Sequence, residues 1–256
     1  MPLDNCFKFM KLIEDAETSM GFNIKGFVDI SLVDWDGRVS SVIFLPNCNF
    51  RCPFCQNAKL VLNPNEIPTI SFEEVENRLK HLKNWIDGAV ITGGEPTLHN
   101  ELKLLCEKLK NLGFKVKLDT NGTNPTFLQE LMDEKLIDYV ALDVKAPLNQ
   151  EKYSKAIGVK SDRFLEKVLE SMKILREGTI EYEFRTTVVP LIHTEQDIEE
   201  ICKSIRGCQK YVIQNFRPAE NTIDPKFQSV KPFSREKLEK FMEIAKKYVL
   251  NVALRT

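Results

Sequence analysis

The sequence predicts an α/β fold, a parallel sheet with helices outside it. Three observations carry the prediction. Short β-branched runs alternate with amphipathic helical patterns six times, which implies parallel strands joined by helical crossovers. Polar, chemistry-bearing residues fall at the carboxyl ends of those strands, where both (βα)-barrels and open α/β sheets build their sites. The chain has 256 residues, enough for one such domain of about 250 residues. Six units are too few for a complete eight-fold barrel. An open doubly wound sheet is the alternative architecture.

The elements follow in order. Residues 7–16 read as a short helix. Residues 24–33 and 38–45 read as two strands joined at Asp36-Gly37, a hairpin signal. A cysteine-bearing loop leaves the second strand. Ser71-Phe72-Glu73-Glu74 has the pattern of a capping box, and Phe72, Val75, Leu79, Leu82 and Ile86 then keep helical spacing. Ala89-Val90-Ile91-Thr92 is a short buried strand ending in Gly93-Gly94-Glu95-Pro96. A helix over 100–111 precedes the strand Lys115-Val116-Lys117-Leu118-Asp119, which runs into Thr120-Asn121-Gly122. A helix over 125–135 leads to Tyr139-Val140-Ala141-Leu142-Asp143. A long loop is expected from there to about residue 160. A helix over 162–176, a strand over 180–189 closed by Pro190, a helix opening at Thr194, a strand over 210–214, a helix over 234–247 and a strand over 249–254 complete the alternation.

Composition narrows the function classes. A net charge of −1 and a pI near 6.4 give no basic surface for nucleic acid and no polybasic membrane patch. No apolar stretch reaches 18 residues, so no membrane span is expected. Charged residues interrupt every apolar run near the N-terminus, so no signal peptide is read there. Seven cysteines without an export signal point to a reducing cytoplasm rather than a disulfide scaffold.

The chemistry concentrates in Pro46-Asn47-Cys48-Asn49-Phe50-Arg51-Cys52-Pro53-Phe54-Cys55-Gln56-Asn57. Clustered thiolates are soft ligands suited to zinc or iron–sulfur. Three ligands are one short of a closed zinc site or of an ordinary four-cysteine cluster. The site is therefore either a metal centre with an open position or a zinc loop completed by a distant cysteine or histidine. Cys106 and Cys202 lie on apolar helix faces and read as small hydrophobes. Cys6 and Cys208 have no assignment. His81, His99 and His193 show no ligand spacing.

The Cys-x3-Cys-x2-Cys spacing, with Phe54 before the last cysteine, resembles the cluster loop of the radical S-adenosylmethionine (SAM) superfamily. The longer run from Ser31-Leu32-Val33-Asp34-Trp35-Asp36-Gly37 to Asn57 is similar to activating enzymes of glycyl radical proteins, above all those of anaerobic ribonucleotide reductase. That family usually has proline at the position of Asp36 and often histidine at that of Gln56. The resemblance implies a partial (βα)6 barrel with a short N-terminal hairpin extension, a single domain over 1–256 with its core from about 39. It implies that Cys48, Cys52 and Cys55 hold a [4Fe–4S] cluster, with the fourth iron binding SAM. Phe54, Cys55 and Gln56 are implied cofactor contacts.

Gly93, Gly94 and Glu95 match the family's glycine-rich motif, which holds the amino and carboxylate end of SAM; glycine lets a ligand approach the backbone closely. Asp119, Thr120 and Asn121, and Asp143, Val144 and Lys145, resemble segments that contact SAM's ribose and carboxylate. There the two aspartates can also hold a monovalent cation. Read without the resemblance, Asp119 or Asn121 is a helix cap and Asp143 with Lys145 a surface ion pair. Arg185 and Gln214 end the next strands, where the family places SAM or partner contacts. The implied activity is cleavage of SAM to a 5′-deoxyadenosyl radical that makes a glycyl radical on a partner enzyme, with flavodoxin or ferredoxin as electron donor. Two other readings stand beside it: the same chemistry on a small cofactor precursor, and a non-enzymatic iron–sulfur or zinc module.

Overall fold

The computed structural model describes residues 21–256. The helix expected over 7–16, and Cys6, lie outside the described residues. Among the described residues eight strands form one sheet in the order β1 to β8 without reversal. β1 (Gly26–Ser31) pairs antiparallel with β2 (Ser40–Leu45). The remaining strands are parallel to β2: β3 (Gly88–Gly93), β4 (Lys115–Thr120), β5 (Tyr139–Asp143), β6 (Glu181–Val188), β7 (Tyr211–Asn215) and β8 (Val252–Arg255). A doubly wound sheet reverses its strand order at a switch point; this one does not, so the doubly wound alternative falls. Six strand–helix units run from β2 to β7, and β8 follows.

Among the described residues the helices are α1 (Ala58–Leu62), α2 (Phe72–Leu82), α3 (Leu102–Asn111), α4 (Pro125–Asp133), α5 (Gln150–Ile157), α6 (Asp162–Glu177), α7 (Glu195–Ser204) and α8 (Arg235–Lys246). Two corrections concern them. The stretch after Asp143 is not a loop to residue 160: α5 occupies its centre, capped by the Asn149 side chain and stopped by Gly158 in the left-handed region at φ 68°. At α2, Ser71 accepts from the Glu74 amide as expected, but the Glu74 carboxylate turns to Arg78 at 3.6 Å instead of reaching back.

Strand alternation sorts the two faces of the sheet. Val116 and Leu118, Val140 and Leu142, and Tyr182 and Phe184 are buried in the core shared with the helices. Their neighbours Lys117, Asp119, Tyr139, Asp143, Glu183 and Arg185 take the other face, which carries charge. At its lower end Trp35, from the turn of the hairpin, packs on Val42 and Val90. No pairing joins β1 to β8 among the described residues. Side chains span that seam: Asp36 accepts from Arg255 at 2.9 Å and from Lys210 at 2.6 Å.

Candidate active site

The cysteine loop leaves the carboxyl end of β2 and is fixed by backbone bonds from distant segments. Asn47 N donates to Leu60 O of α1 at 2.9 Å, and Arg51 N donates to Ile157 O of α5 at 2.8 Å. Glu95 N, beyond β3, donates to Asn47 O at 2.7 Å, and Asp224 N donates to Pro53 O at 2.9 Å. Asn57 Nδ2 adds a bond to Gly93 O at 2.7 Å. These contacts give the glycines a packing role as well. A Cβ on Gly94 would lie 1.8 Å from Asn47 O, so the group that needs the space is the cysteine loop's own backbone. Gly158 does the same on the other side, where a Cβ would lie 2.0 Å from Arg51 O.

Cys52 is buried, and Cys48 and Cys55 are half-buried. Burial pushes the Cys48 thiol up to about 11 and the Cys52 thiol up to about 12. A metal bound by these cysteines would displace their protons, since thiolate is the ligand form. Phe50 N donates to Cys48 Sγ at 3.4 Å, and Asn121 Nδ2 approaches the same sulfur at 3.9 Å. Among the described residues no group of three or more His, Cys, Asp or Glu side chains is arranged around one ion position. The three cysteines instead share the wall of a cavity of about 400 Å³. That size suits a small-molecule site, and a set of soft donors on one wall suits an iron–sulfur cluster. Cys106 and Cys202 are fully buried in the core and Cys208 nearly so.

The cavity collects nearly all the residues singled out in the sequence. Cys48, Cys52, Phe54, Cys55, Gln56, Gly93, Gly94, Glu95, Asp119, Thr120, Asn121, Asp143, Lys145, Arg185 and Gln214 line it. Val144 does not. It is fully buried in the helix-facing core, bonded through its amide to Arg185 O and through its carbonyl to Thr186 Oγ1. Its side chain points opposite to those of Asp143 and Lys145 because alternate residues face opposite ways. Glu95 is 1% exposed. Its carboxylate accepts from Thr97 and Thr120 hydroxyls and from the Asn121 amide, which ties the end of β3 to the end of β4. Burial raises its pKa against the pull of those bonds.

The far wall is charged. Asp143 Oδ2 accepts from Lys145 Nζ at 2.8 Å and Oδ1 from Arg185 Nε at 2.7 Å. Burial works to raise the Asp143 pKa, but Arg185 and Lys145 overcome it and hold the carboxyl well below the usual range. His193 locks the adjacent backbone. Its Nδ1 accepts from Val189 N at 3.0 Å, so the Nε2 proton goes to Lys145 O at 2.9 Å. The sequence reading missed Lys117, His193 and Arg255 here. Charges inside strands and a lone histidine signal nothing until register brings their partners opposite.

The radical SAM superfamily model matches residues 42–205. A Methanocaldococcus jannaschii protein provisionally named a glycyl-radical enzyme activating enzyme is 38% identical over 236 residues, covering 91% of this chain and 95% of its own. A second of that name from the same organism is 28% identical, covering 90% and 86%. Among solved structures, Streptococcus suis SuiB bound to its precursor peptide superposes with a TM-score of 0.66 at 18% identity, covering 84% of this chain. This chain spans about half the length of SuiB, 48% of it. A domain of a pyruvate-formate lyase-activating enzyme from Bacteroides vulgatus superposes with a TM-score of 0.51 at 17% identity, over 66% of this chain and 99% of that domain. With cysteines, cavity and strand order converging on one chemistry, and the family matched along most of its length, the chain belongs to the radical SAM superfamily, enzymes that use a [4Fe–4S] cluster and S-adenosylmethionine.

Proposed function

We propose that this protein activates a glycyl radical enzyme by removing a hydrogen atom from a glycine Cα of that partner, with the anaerobic ribonucleotide reductase as the partner. The observation that carries the reading is the near end-to-end likeness to the two Methanocaldococcus jannaschii relatives provisionally named for this role. When bound, the cluster supplies the electron that cleaves SAM to methionine and a 5′-deoxyadenosyl radical. The chain's own residues bind, orient and shield. Cys48, Cys52 and Cys55 hold the cluster. Lys145 offers its ammonium to the methionine carboxylate. Asp119 lies on the cavity wall, where its carboxylate can accept from a ribose hydroxyl through a remaining lone pair. Asn121 steadies the loop through Asn49 Oδ1 at 2.8 Å. Gln214 and exposed Gln56 lie on the cavity wall. A partner that seats a glycine loop in the mouth covers the site, and a covered site keeps solvent from the radical.

The test is anaerobic. Cluster-loaded protein is reduced, by dithionite or by flavodoxin or ferredoxin, and mixed with SAM and the reductase. The expected result is a glycine-centred radical by electron paramagnetic resonance and only slow 5′-deoxyadenosine release without the partner. Rapid turnover of a small metabolite with no radical on any partner would replace this reading with the small-molecule one.

A further inference from the structure

Two carboxylates at the ends of β4 and β5 face three cationic side chains. Arg185 bridges both acids, with Nε on Asp143 Oδ1 at 2.7 Å and an Nη on Asp119 Oδ2 at 3.1 Å. Register makes the bridge: Arg185 sits directly opposite Asp143 across β5 and β6. Lys145 takes the other Asp143 oxygen at 2.8 Å, and Lys117, fully buried, lies 3.3 Å from Asp119 Oδ1. One positive charge is in excess. Among the described residues no other acid pairs with these three cations. Glu183, two residues earlier on β6, is paired with Arg255 at 3.5 Å and Lys210 at 3.6 Å. Glu95 is engaged by Thr97, Thr120 and Asn121.

A monovalent metal ion, which the family resemblance implies between these aspartates, does not fit this arrangement. Hard cations take several oxygen ligands. Three of the four carboxylate oxygens already accept from Arg185 or Lys145, and the fourth, Asp119 Oδ1, has the Lys117 ammonium beside it. A metal ion would also add charge to a site already positive, in an interior that screens poorly.

We propose that Arg185 is the built-in counter-ion of this pair, a positioning residue that stands where an alkali cation would and frees SAM binding from any need for one. The SAM-binding readout rests on the placement of SAM proposed above; a second readout does not. SAM affinity is measured by anaerobic calorimetry in potassium, sodium and choline chloride at equal ionic strength. The expected affinities agree within about twofold, and binding about tenfold tighter in potassium or sodium than in choline overturns the proposal. Thermal unfolding of the protein without SAM is followed in the same salts. The wild type should show no difference between potassium, sodium and choline. Arg185→Gln frees carboxylate oxygens on both aspartates and removes the excess charge, so potassium or sodium should raise its unfolding temperature above that in choline. An alkali-specific shift in the wild type, or none in Arg185→Gln, overturns the proposal. Should Arg185→Gln fail to fold, the wild-type comparisons still decide. Should SAM bind elsewhere, Lys145→Ala would leave its affinity unchanged while the unfolding experiment still tests the counter-ion.

Discussion

The cysteine loop and the charged wall face one another across a single cavity, and they are held by different means. The loop is tied down by main chain, through bonds to α1, α5, the turn after β3 and the segment at Asp224. The charged wall is tied by side chain to side chain, through Asp119, Asp143, Lys145 and Arg185 on three neighbouring strand ends. A region anchored by main chain tolerates most side-chain exchanges and fails where a Cβ would enter the packing. A region anchored by charges passes each single substitution to every partner.

Predictions that sharpen or break this contrast run from the largest effect to the smallest. Replacing Cys48, Cys52 or Cys55 by alanine should reduce bound iron after anaerobic reconstitution to near zero. Cys106→Ala, deep in α3, should retain it; equal iron loss there would break the ligand assignment. Next, Gly158→Val should lower stability in urea by about 4 kcal/mol, since backbone cannot yield cheaply to a clash at 2.0 Å. Gly207 is the control. It has φ 80° and open space around a Cβ, so Gly207→Val should cost only the left-handed strain of about 1–2 kcal/mol. Similar losses at both glycines would mean that the contact between α5 and the loop is unimportant.

On the charged wall, Asp143→Ala strands Arg185 and Lys145 and should cost about 3 kcal/mol, the low end for breaking a buried pair, because 17% of the side chain reaches solvent. Lys145→Ala should weaken SAM binding by about 1–3 kcal/mol with the iron content unchanged. The smallest effect is a pH dependence at His193. Burial lowers its pKa, against the opposing pull of the Lys145 carbonyl and Asp197, while the Lys145 charge adds to the lowering. The folded state therefore prefers the neutral ring. This contribution to stability is complete above the unfolded value of about 6.5 and is lost as pH falls toward the lower folded value. Unfolding followed from pH 7 to pH 5 should show that slope in the wild type, and His193→Gln should reduce it. An unchanged slope in the variant would assign the dependence to other groups.

The alternation of strands and helices was legible in the residues alone, because period-2 and period-3.6 apolar patterns report burial directly. The cysteine loop was legible too, since ligand type and spacing are local properties of adjacent residues. Asp119, Asp143 and Lys145 stood out through the family resemblance; by their residues alone they read as a helix cap and a surface ion pair. The helix α5 escaped, because its apolar contribution to the core is confined to Tyr153, Ala156 and Ile157 near its end, too few for a visible period. Only the Asn149 cap and Gly158 signalled it. Tertiary structure alone decided which face of each strand is charged and which acid meets which base. Lys117 and Glu183 are charged residues inside strands, yet they are 0% and 1% exposed. Their partners come from Asp34 and Asp119, and from Lys210 and Arg255, at separations that no local pattern encodes. An ion pair inside a parallel sheet depends on the register between strands joined by long crossovers, and that register exists only once the helices have packed.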